Sequence, residues 1–255
     1  MNQNVPLPVG DLLAGKLTVI TGGTAGIGRG VAERFLAEGA DVVVTARGEA
    51  AGLAFVAQHP SRVTFVPADA AVPAELDKLA AATAALGRKV AVVVCNAGGG
   101  GDTWVASSTE AEYDAVMDVN VKSAFFTVQK LLPLMSEGST VVLIGSIAGT
   151  GGGVGGICYN AAKAAVRSLA RSMAAELAPR GIRVNCLSPG PVQTAGWERF
   201  VDGDEAKRTG VQAAIPVGHV GAVEDAAAAA LFLATDASRY IDGVELTLDG
   251  GLSQV

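Results

Sequence analysis

The sequence predicts an α/β fold in which helices cover both faces of a doubly wound parallel sheet of about seven strands. Three observations predict it: short β-branched runs recur along the chain, helix-like stretches separate them, and most of the runs are apolar throughout. A strand that is covered on both faces has no polar side, whereas a half-exposed strand alternates. Strands that alternate with helices are joined by right-handed crossovers, which makes the sheet parallel.

The strands are predicted from runs rich in Val, Ile, Leu and Thr. In chain order they cover residues 17–21, 42–45, 63–66, 90–94, 140–144, 183–187 and 244–248. Stretches rich in Ala, Leu, Glu and Lys lie between them and predict helices at 27–38, 73–86, 110–134, 157–179 and 223–235. We expect one domain over 13–255, a loose N-terminal extension over 1–12, and a lid at about 191–215.

The composition and the charge of the chain exclude several classes of protein. The 255 residues are 50% hydrophobic and 17% charged, which suits a sizeable core. The net charge of −6 argues against a nucleic-acid-binding surface. No basic region precedes an apolar stretch at the N-terminus, and no apolar run reaches the roughly 18 residues of a membrane span. The three cysteines lack CxxC spacing, so neither a disulfide framework nor a metal site is expected. We expect a cytoplasmic protein.

A glycine-rich segment, Thr21–Gly28, reads TGGTAGIG and joins the first strand to the first helix. A helix N-terminus offers free N–H groups and the positive end of the helix dipole, which together hold a phosphate. Glycines let the backbone approach that phosphate closely. The alternative is an ordinary glycine-rich turn, but the strand-turn-helix context favours dinucleotide binding.

The TGxxxGxG spacing resembles the fingerprint of the short-chain dehydrogenase/reductase family, and further motifs similar to that family's follow in order between about residues 15 and 251. They are the NAG motif within Cys95–Gly98, Asn120, Ser146, the YxxxK motif Tyr159–Lys163, Pro189–Gly190 with Thr194, and Asp249–Gly251. The resemblance implies a single NAD(P)-binding Rossmann-type domain, hydride transfer between a nicotinamide and a substrate, and a homotetramer.

The resemblance also implies four catalytic residues. Tyr159 would exchange a proton with the substrate oxygen, and Ser146 would stabilise the developing oxyanion. Lys163 would bind the nicotinamide ribose, and Asn120 would help to hold Lys163 in a proton relay. Because Tyr159 and Lys163 are four residues apart, they share one face of a helix. We therefore expect the ammonium of Lys163 to lower the pKa of Tyr159.

Residues at one edge of the sheet are expected to bind the cofactor. They are Gly22, Thr24, Gly26, Ile27, Gly28, Arg47, Asp69, Asn96, Gly98, Tyr159, Lys163, Pro189, Gly190, Val192 and Thr194. Ala46 stands where members of the family that prefer NAD carry Asp, and Arg47 follows it. A guanidinium suits a 2′-phosphate, so we expect NADP(H) rather than NAD(H). Ala25, however, stands where many NADP-using relatives carry a second basic residue. Asp69 is either an adenine contact or part of a helix N-cap.

These motifs predict an NADP(H)-dependent ketone reductase or alcohol dehydrogenase that acts on a small molecule, without nucleic-acid or membrane partners. The alternative is a 3-oxoacyl-(acyl-carrier-protein) reductase, for which Arg167, Arg171 and Arg180 are the candidate docking residues. A non-catalytic NADP-sensing regulator is a third interpretation, but such proteins typically lose the Tyr or the Lys. In the lid, Trp197 with Phe200 would either close over an apolar substrate or anchor the lid to the body.

Overall fold

The computed structural model describes residues 10–255 and confirms the parallel sheet of seven strands. The strands are β1 (Leu17–Thr21), β2 (Asp41–Ala46), β3 (Val63–Pro67), β4 (Val90–Cys95), β5 (Met135–Ile144), β6 (Arg183–Pro189) and β7 (Glu245–Leu248). The helices are α1 (Gly26–Ala37), α2 (Glu49–Gln58), α3 (Pro73–Ala85), α4 (Glu110–Met117), α5 (Ser123–Leu131), α6 (Ile157–Leu177), α7 (Ala195–Val201), α8 (Glu205–Ala214) and α9 (Val223–Ala234). The strand order in space is β3-β2-β1-β4-β5-β6-β7.

Two hydrophobic layers, one on each face of the sheet, hold the fold together. Alternate strand residues point to opposite faces, so Val19 packs with α3, α5 and α6, while its neighbour Ile20 packs with α1, α2 and α9. Both side chains are fully buried. The apolar character of the strands on both sides therefore follows from helices on both faces, as predicted.

The structure departs from the predicted elements at several places. Helix α2 was not predicted, and it contains Gly52, where a β-carbon would lie 2.4 Å from the Phe65 ring. The predicted helix 110–134 is interrupted by a π-helical turn, Asp118–Lys122, and ends before β5. The predicted lid contains α7 and α8. The predicted extension over 1–12 falls largely outside the described residues, but Gly10 and Leu12 donate backbone hydrogen bonds to the buried Glu38.

The strand order places a crevice at the carboxyl edge of the sheet. The connections from β1 run outward to β2 and β3, whereas β4 lies on the other side of β1. The loops after β1 and β4 therefore diverge, and this reversal of direction is where doubly wound sheets bind ligands. Within residues 10–255, no helix is long and apolar enough to cross a membrane, and no cluster of His, Cys, Asp or Glu is arranged to hold a metal ion.

Candidate active site

A cleft of about 540 Å³ lies at this edge, a volume typical of small-molecule sites. Loops that follow six of the seven strands line it. The predicted site residues along its wall are Gly22, Thr24, Gly26, Ile27, Arg47, Asp69, Asn96, Gly98, Ser146, Tyr159, Lys163, Pro189, Gly190 and Thr194. Three predicted residues, Gly28, Asn120 and Val192, are not part of this wall and act from behind it.

The glycine-rich turn has the geometry of a phosphate cradle. Gly22 and Gly26 have φ angles of 63° and 51°, a left-handed conformation that a side chain would strain. Helix α1 begins without a side-chain cap and without an acidic residue in its first turn. Its first N–H groups therefore face the cleft with no side-chain acceptor, and this donor set fits a pyrophosphate.

Asn96 fastens that cradle to the loop after β4. Its side-chain amide donates to the backbone oxygens of Thr21 and Gly22, at 3.1 and 3.0 Å. The Thr21 hydroxyl in turn accepts from the backbone N–H groups of Asn96 and Ala97. A β-carbon at Gly28 would lie only 2.3 Å from the Asn96 amide nitrogen, so the last glycine of the fingerprint makes room for this brace.

Lys163 is buried beneath the cleft. Its ammonium donates to the backbone oxygen of Ile144 at 2.9 Å, at the end of β5. Burial lowers the pKa of Lys163 from its ordinary value of 10.5 to about 8. The lysine can therefore gain or lose a proton within the working range of an enzyme.

Tyr159 and Ser146 both line the cleft. Burial raises the pKa of Tyr159, and the neighbouring Ser146 hydroxyl lowers it to a smaller extent. Lys163 is not among the groups that shift this pKa, so the expectation that its ammonium lowers the pKa stays a prediction. The Lys163 nitrogen lies 5.5 Å from the centre of the Tyr159 ring and is itself withdrawn from water. Desolvation is the largest influence on the pKa of Tyr159, and the phenol keeps its proton at neutral pH.

Asn120 holds the loop after β4 from the opposite side. It is 1% exposed and lies in the π-helical turn, where its amide donates to Val116 and Gly99 backbone oxygens. Its carbonyl oxygen accepts from the Gly99 N–H. A β-carbon at Gly98 would lie 2.7 Å from that oxygen and 3.2 Å from the Lys163 nitrogen. Asn120 thus converges with Lys163 on Gly98, although no direct hydrogen bond joins the two side chains.

Thr103 is a site residue that the sequence analysis missed. Its hydroxyl accepts from the Cys158 N–H at 3.1 Å, and its carbonyl accepts from the Ile157 N–H. These are two of the N–H groups that a helix leaves free at its start, so Thr103 caps α6 from a distant loop. Its side chain is 2% exposed. Tyr159 follows in the same helical turn. No local pattern marks such a cap, because the capped helix begins 54 residues later in the chain.

We expect Thr103→Val to lower the free energy of unfolding by about 1–2 kcal/mol, because a buried helix N–H loses its acceptor. We also expect kcat to fall by about 10-fold, because the turn that carries Tyr159 shifts. Thr103→Ser keeps the hydroxyl and should restore both values. Steady-state kinetics and urea unfolding of the two variants measure this. Equal kcat values in the Val and Ser variants would show that the hydroxyl does not position the tyrosine.

The lid is anchored at its base. The Thr194 hydroxyl caps α7 by accepting from the Trp197 N–H, and Trp197 packs in a small apolar cluster with Val201, Ile215 and Val220. Trp197 is 6% exposed, so it anchors the lid to the body. Phe200 is 52% exposed and stacks beside it. Val192 is buried behind the wall, where its backbone oxygen accepts from the Thr194 hydroxyl.

The far end of the cleft carries Arg47 and Asp69. Arg47 follows β2 and is exposed. Asp69 follows β3, and its carboxylate accepts from the Ala71 N–H. Helix α3 does begin at Pro73, but the residue at its N-cap is Val72, so Asp69 does not cap it. Both side chains line the cleft at the end nearest β2 and β3.

The sequence and the fold of this chain are similar to those of known proteins. Residues 22–253 match a family model described as enoyl-(acyl carrier protein) reductase. The chain is 36% identical over 244 residues to the short-chain dehydrogenase/reductase SDRA of Arabidopsis thaliana, covering 94% of this chain and 95% of that protein. The chain belongs to the short-chain dehydrogenase/reductase family.

Two further comparisons show that the similarity to this family covers nearly the whole chain. The 3-oxoacyl-(acyl-carrier-protein) reductase FabG of Escherichia coli K12 is 32% identical over 243 residues, with 94% and 98% coverage of the two chains. A crystal structure of a short-chain dehydrogenase/reductase, glucose/ribitol dehydrogenase, from Brucella melitensis superposes with a TM-score of 0.90. That structure shares 27% identity and covers 96% of this chain and 99% of its own. The fold and the oxidoreductase class of this family member are thereby established, since the likeness spans the whole described domain.

Proposed function

We propose that this family member is an NADP(H)-dependent oxidoreductase that interconverts a ketone and a secondary alcohol on a small molecule. The observation that carries the proposal is the meeting of Ser146, Tyr159 and Lys163 in the cleft that also holds the phosphate cradle. A regulator of the same fold would not need this arrangement. The bound nicotinamide supplies or accepts the hydride, and the protein supplies everything else.

The chain's own groups divide the remaining chemistry between them. Ser146 and Tyr159 line the same cleft and influence each other, so both hydroxyls are placed to bind a substrate oxygen. Tyr159 donates its proton during reduction and removes one during oxidation. The ammonium of buried Lys163 lies 5.5 Å from the centre of the Tyr159 ring, close to the phenolate that reduction leaves behind, and it is placed to bind the ribose hydroxyls of the cofactor. Thr194 at the base of the lid is placed for the carboxamide.

The preference for NADP(H) rests on Arg47. No carboxylate stands at Ala46 to bind a free ribose 2′-hydroxyl and repel a 2′-phosphate. Arg47 lies at the cleft end nearest β2, and within residues 10–255 it forms no ion pair that would occupy its guanidinium. A free guanidinium binds a phosphate through two parallel hydrogen bonds.

The carrier-protein alternative needs a basic patch at the mouth of the cleft, and the three predicted arginines do not form one. Arg167 is ion-paired to Glu245 at 3.2 Å, and Arg180 donates to the backbone oxygen of Leu132. Because α6 spans 21 residues, Arg180 lies about 30 Å along the helix from its start at the cleft. None of the three lines the cleft. We therefore favour a small, freely diffusing substrate; the cytoplasmic location and the homotetramer stay predictions.

A carbonyl panel tests the proposal. Oxidation of NADPH and NADH is followed in parallel against aryl and alkyl ketones, diketones, sugars and an acetoacetyl thioester. We expect turnover of ketones with NADPH and little with the thioester. Preference for the thioester would move the protein to the carrier-protein alternative, and no turnover of any carbonyl or alcohol would contradict the enzymatic interpretation.

We expect Arg47→Gln to weaken NADPH binding by about 10-fold while leaving the affinity for NADH unchanged, because only NADPH carries the 2′-phosphate. The dissociation constants are measured by fluorescence titration of each dinucleotide. Arg88→Gln removes an exposed arginine on the amino side of the sheet, ion-paired to Asp41, and serves as the control. A parent protein that binds NADH more tightly than NADPH would show that Arg47 does not set the preference.

A further inference from the structure

The lid carries three cations, and two of them are already engaged. Arg208 is ion-paired to Glu198 at 2.6 Å and to Glu205 at 3.5 Å. Lys207 donates to the backbone oxygen of Phe200 and lies 3.9 Å from the centre of its ring. The third cation, Arg199, forms no ion pair or side-chain hydrogen bond within residues 10–255.

Arg199 lines the cleft rather than the outer face of the lid. It lies on α7, and one of its guanidinium nitrogens is 3.9 Å from the position of a β-carbon on Gly196. The side chain therefore folds back by about one helical turn, toward Thr194 at the start of α7. Gly196 carries no side chain that would stand between the guanidinium and the cleft.

The start of α7 touches the phosphate cradle. A β-carbon at Gly26 would lie 3.5 Å from the Thr194 methyl group. The guanidinium of Arg199 is thus directed to the same part of the cleft as the N-terminus of α1. Arg47, in contrast, follows β2, which lies four strand spacings, or about 19 Å, from the β6 strand that leads into the lid. The two free arginines therefore serve different parts of an elongated ligand.

The charged side chains along the cleft favour an anionic ligand both near Arg47 and near Arg199. Its charged lining residues are Arg47, Asp69, Lys163 and Arg199. Asp69 is the single acid among them, and it lies after β3 at the Arg47 end, where it accepts from Ala71. No carboxylate lining the cleft is therefore left to satisfy Arg199, and a guanidinium without a partner pairs well with a phosphate oxygen.

We propose that Arg199 clamps the pyrophosphate of the bound dinucleotide from the lid side, opposite the N–H groups of α1. The inference rests on the proposed function, because it takes the ligand of the cleft to be a nicotinamide dinucleotide. The clamp ties lid closure to the part of the cofactor that NADPH and NADH share. Arg199 therefore contributes to affinity without contributing to the choice between them.

The test compares Arg199→Gln with Arg208→Gln, which removes an ion-paired cation from the same lid. Dissociation constants for NADPH, NADH and ADP are measured by calorimetry on the full chain; ADP carries a pyrophosphate without nicotinamide or 2′-phosphate. We expect Arg199→Gln to weaken all three by a similar factor of about 10, less at high salt, and Arg208→Gln to change them by less than twofold.

Each other outcome overturns the inference in a recognisable way. Unchanged dissociation constants in Arg199→Gln, with a raised KM for the carbonyl substrate, would assign Arg199 to the substrate. A loss confined to NADPH would assign it to the 2′-phosphate. If the unaltered protein binds none of the three nucleotides, both the proposed function and the clamp fail. If the unaltered protein binds them and Arg199→Gln binds them equally well, only the clamp fails.

Discussion

Tyr159→Phe is expected to reduce carbonyl reduction by about 10³-fold or more, since it removes the phenol that gives the substrate oxygen its proton. The ring itself should stay in place, because it packs against Gly100, where a β-carbon would lie 3.1 Å from it. The affinity for the dinucleotide is expected to change little, since the cradle after β1 is untouched. Parallel measurements of kcat and of the NADPH dissociation constant check both parts.

The matched control for this variant is Tyr113→Phe on α4, where the side chain is 48% exposed. We expect that change to leave kcat within twofold of the parent. If Tyr159→Phe retains a tenth or more of the parent activity, the phenol is not the acid, and water or Ser146 must deliver the proton.

Lys163→Met is expected to lower kcat by about 10²-fold or more while making the folded protein more stable at pH 7. Burial holds the pKa of Lys163 at about 8 instead of 10.5. A difference of that size corresponds to about 3 kcal/mol of unfavourable burial when the amine is charged. Loss of the hydrogen bond to the Ile144 oxygen takes back about 1–2 kcal/mol, so a net gain of about 1–2 kcal/mol remains.

The stability difference between Lys163→Met and the parent is expected to depend on pH. Below pH 8 the lysine is charged in both the folded and the unfolded chain, so the parent carries the full free-energy cost of burying the charge. Between pH 8 and 10.5 the unfolded chain binds more protons at this residue, and the parent therefore gains stability as pH rises. The advantage of the Lys163→Met variant should shrink across that interval. Above pH 8 the parent should also lose reductase activity, since the phenolate loses its neighbouring cation.

Urea unfolding from pH 6 to pH 10 measures the effect, and Lys78→Met is the control. Lys78 is 66% exposed and lies 3.8 Å from Glu75, so its removal should leave the stability difference nearly independent of pH. If the Lys163→Met variant is less stable than the parent at pH 7, the cleft must keep the lysine well solvated.

Elements whose signal is local were predicted well. The strands 17–21 and 183–187 were placed within two residues of β1 and β6, because an apolar run between turn residues needs no distant information. Helix α2 was missed, since its Gly52 reads as a helix breaker until the Phe65 ring is seen to lie on it. Strand β5 begins five residues earlier than predicted, at Met135, in a segment whose polar residues carry no strand pattern.

The residues of the site likewise divide into those that local motifs predict and those that only the folded structure reveals. Fourteen of the seventeen predicted site residues line one cleft, because each stands in a short motif directly after a strand or on one helix face. Asn120 was placed among the catalytic residues, but its hydrogen bonds to Gly99 became visible only in three dimensions. Trp197 could not be assigned, since covering a substrate and anchoring a lid require the same residue type.

The sequence alone therefore determined the class of fold, the glycine-rich turn after β1 and the placement of Tyr159 and Lys163 on one helix, because these depend on residues within one turn or one strand-turn-helix unit. Only the tertiary structure decided that Thr103 caps the tyrosine helix, that Arg199 rather than Arg208 is free to bind a ligand, and that Lys163 is withdrawn from water. Each of these depends on which side chains from separate parts of the chain come within hydrogen-bonding reach, or on how much water they exclude, and no local spacing encodes either quantity.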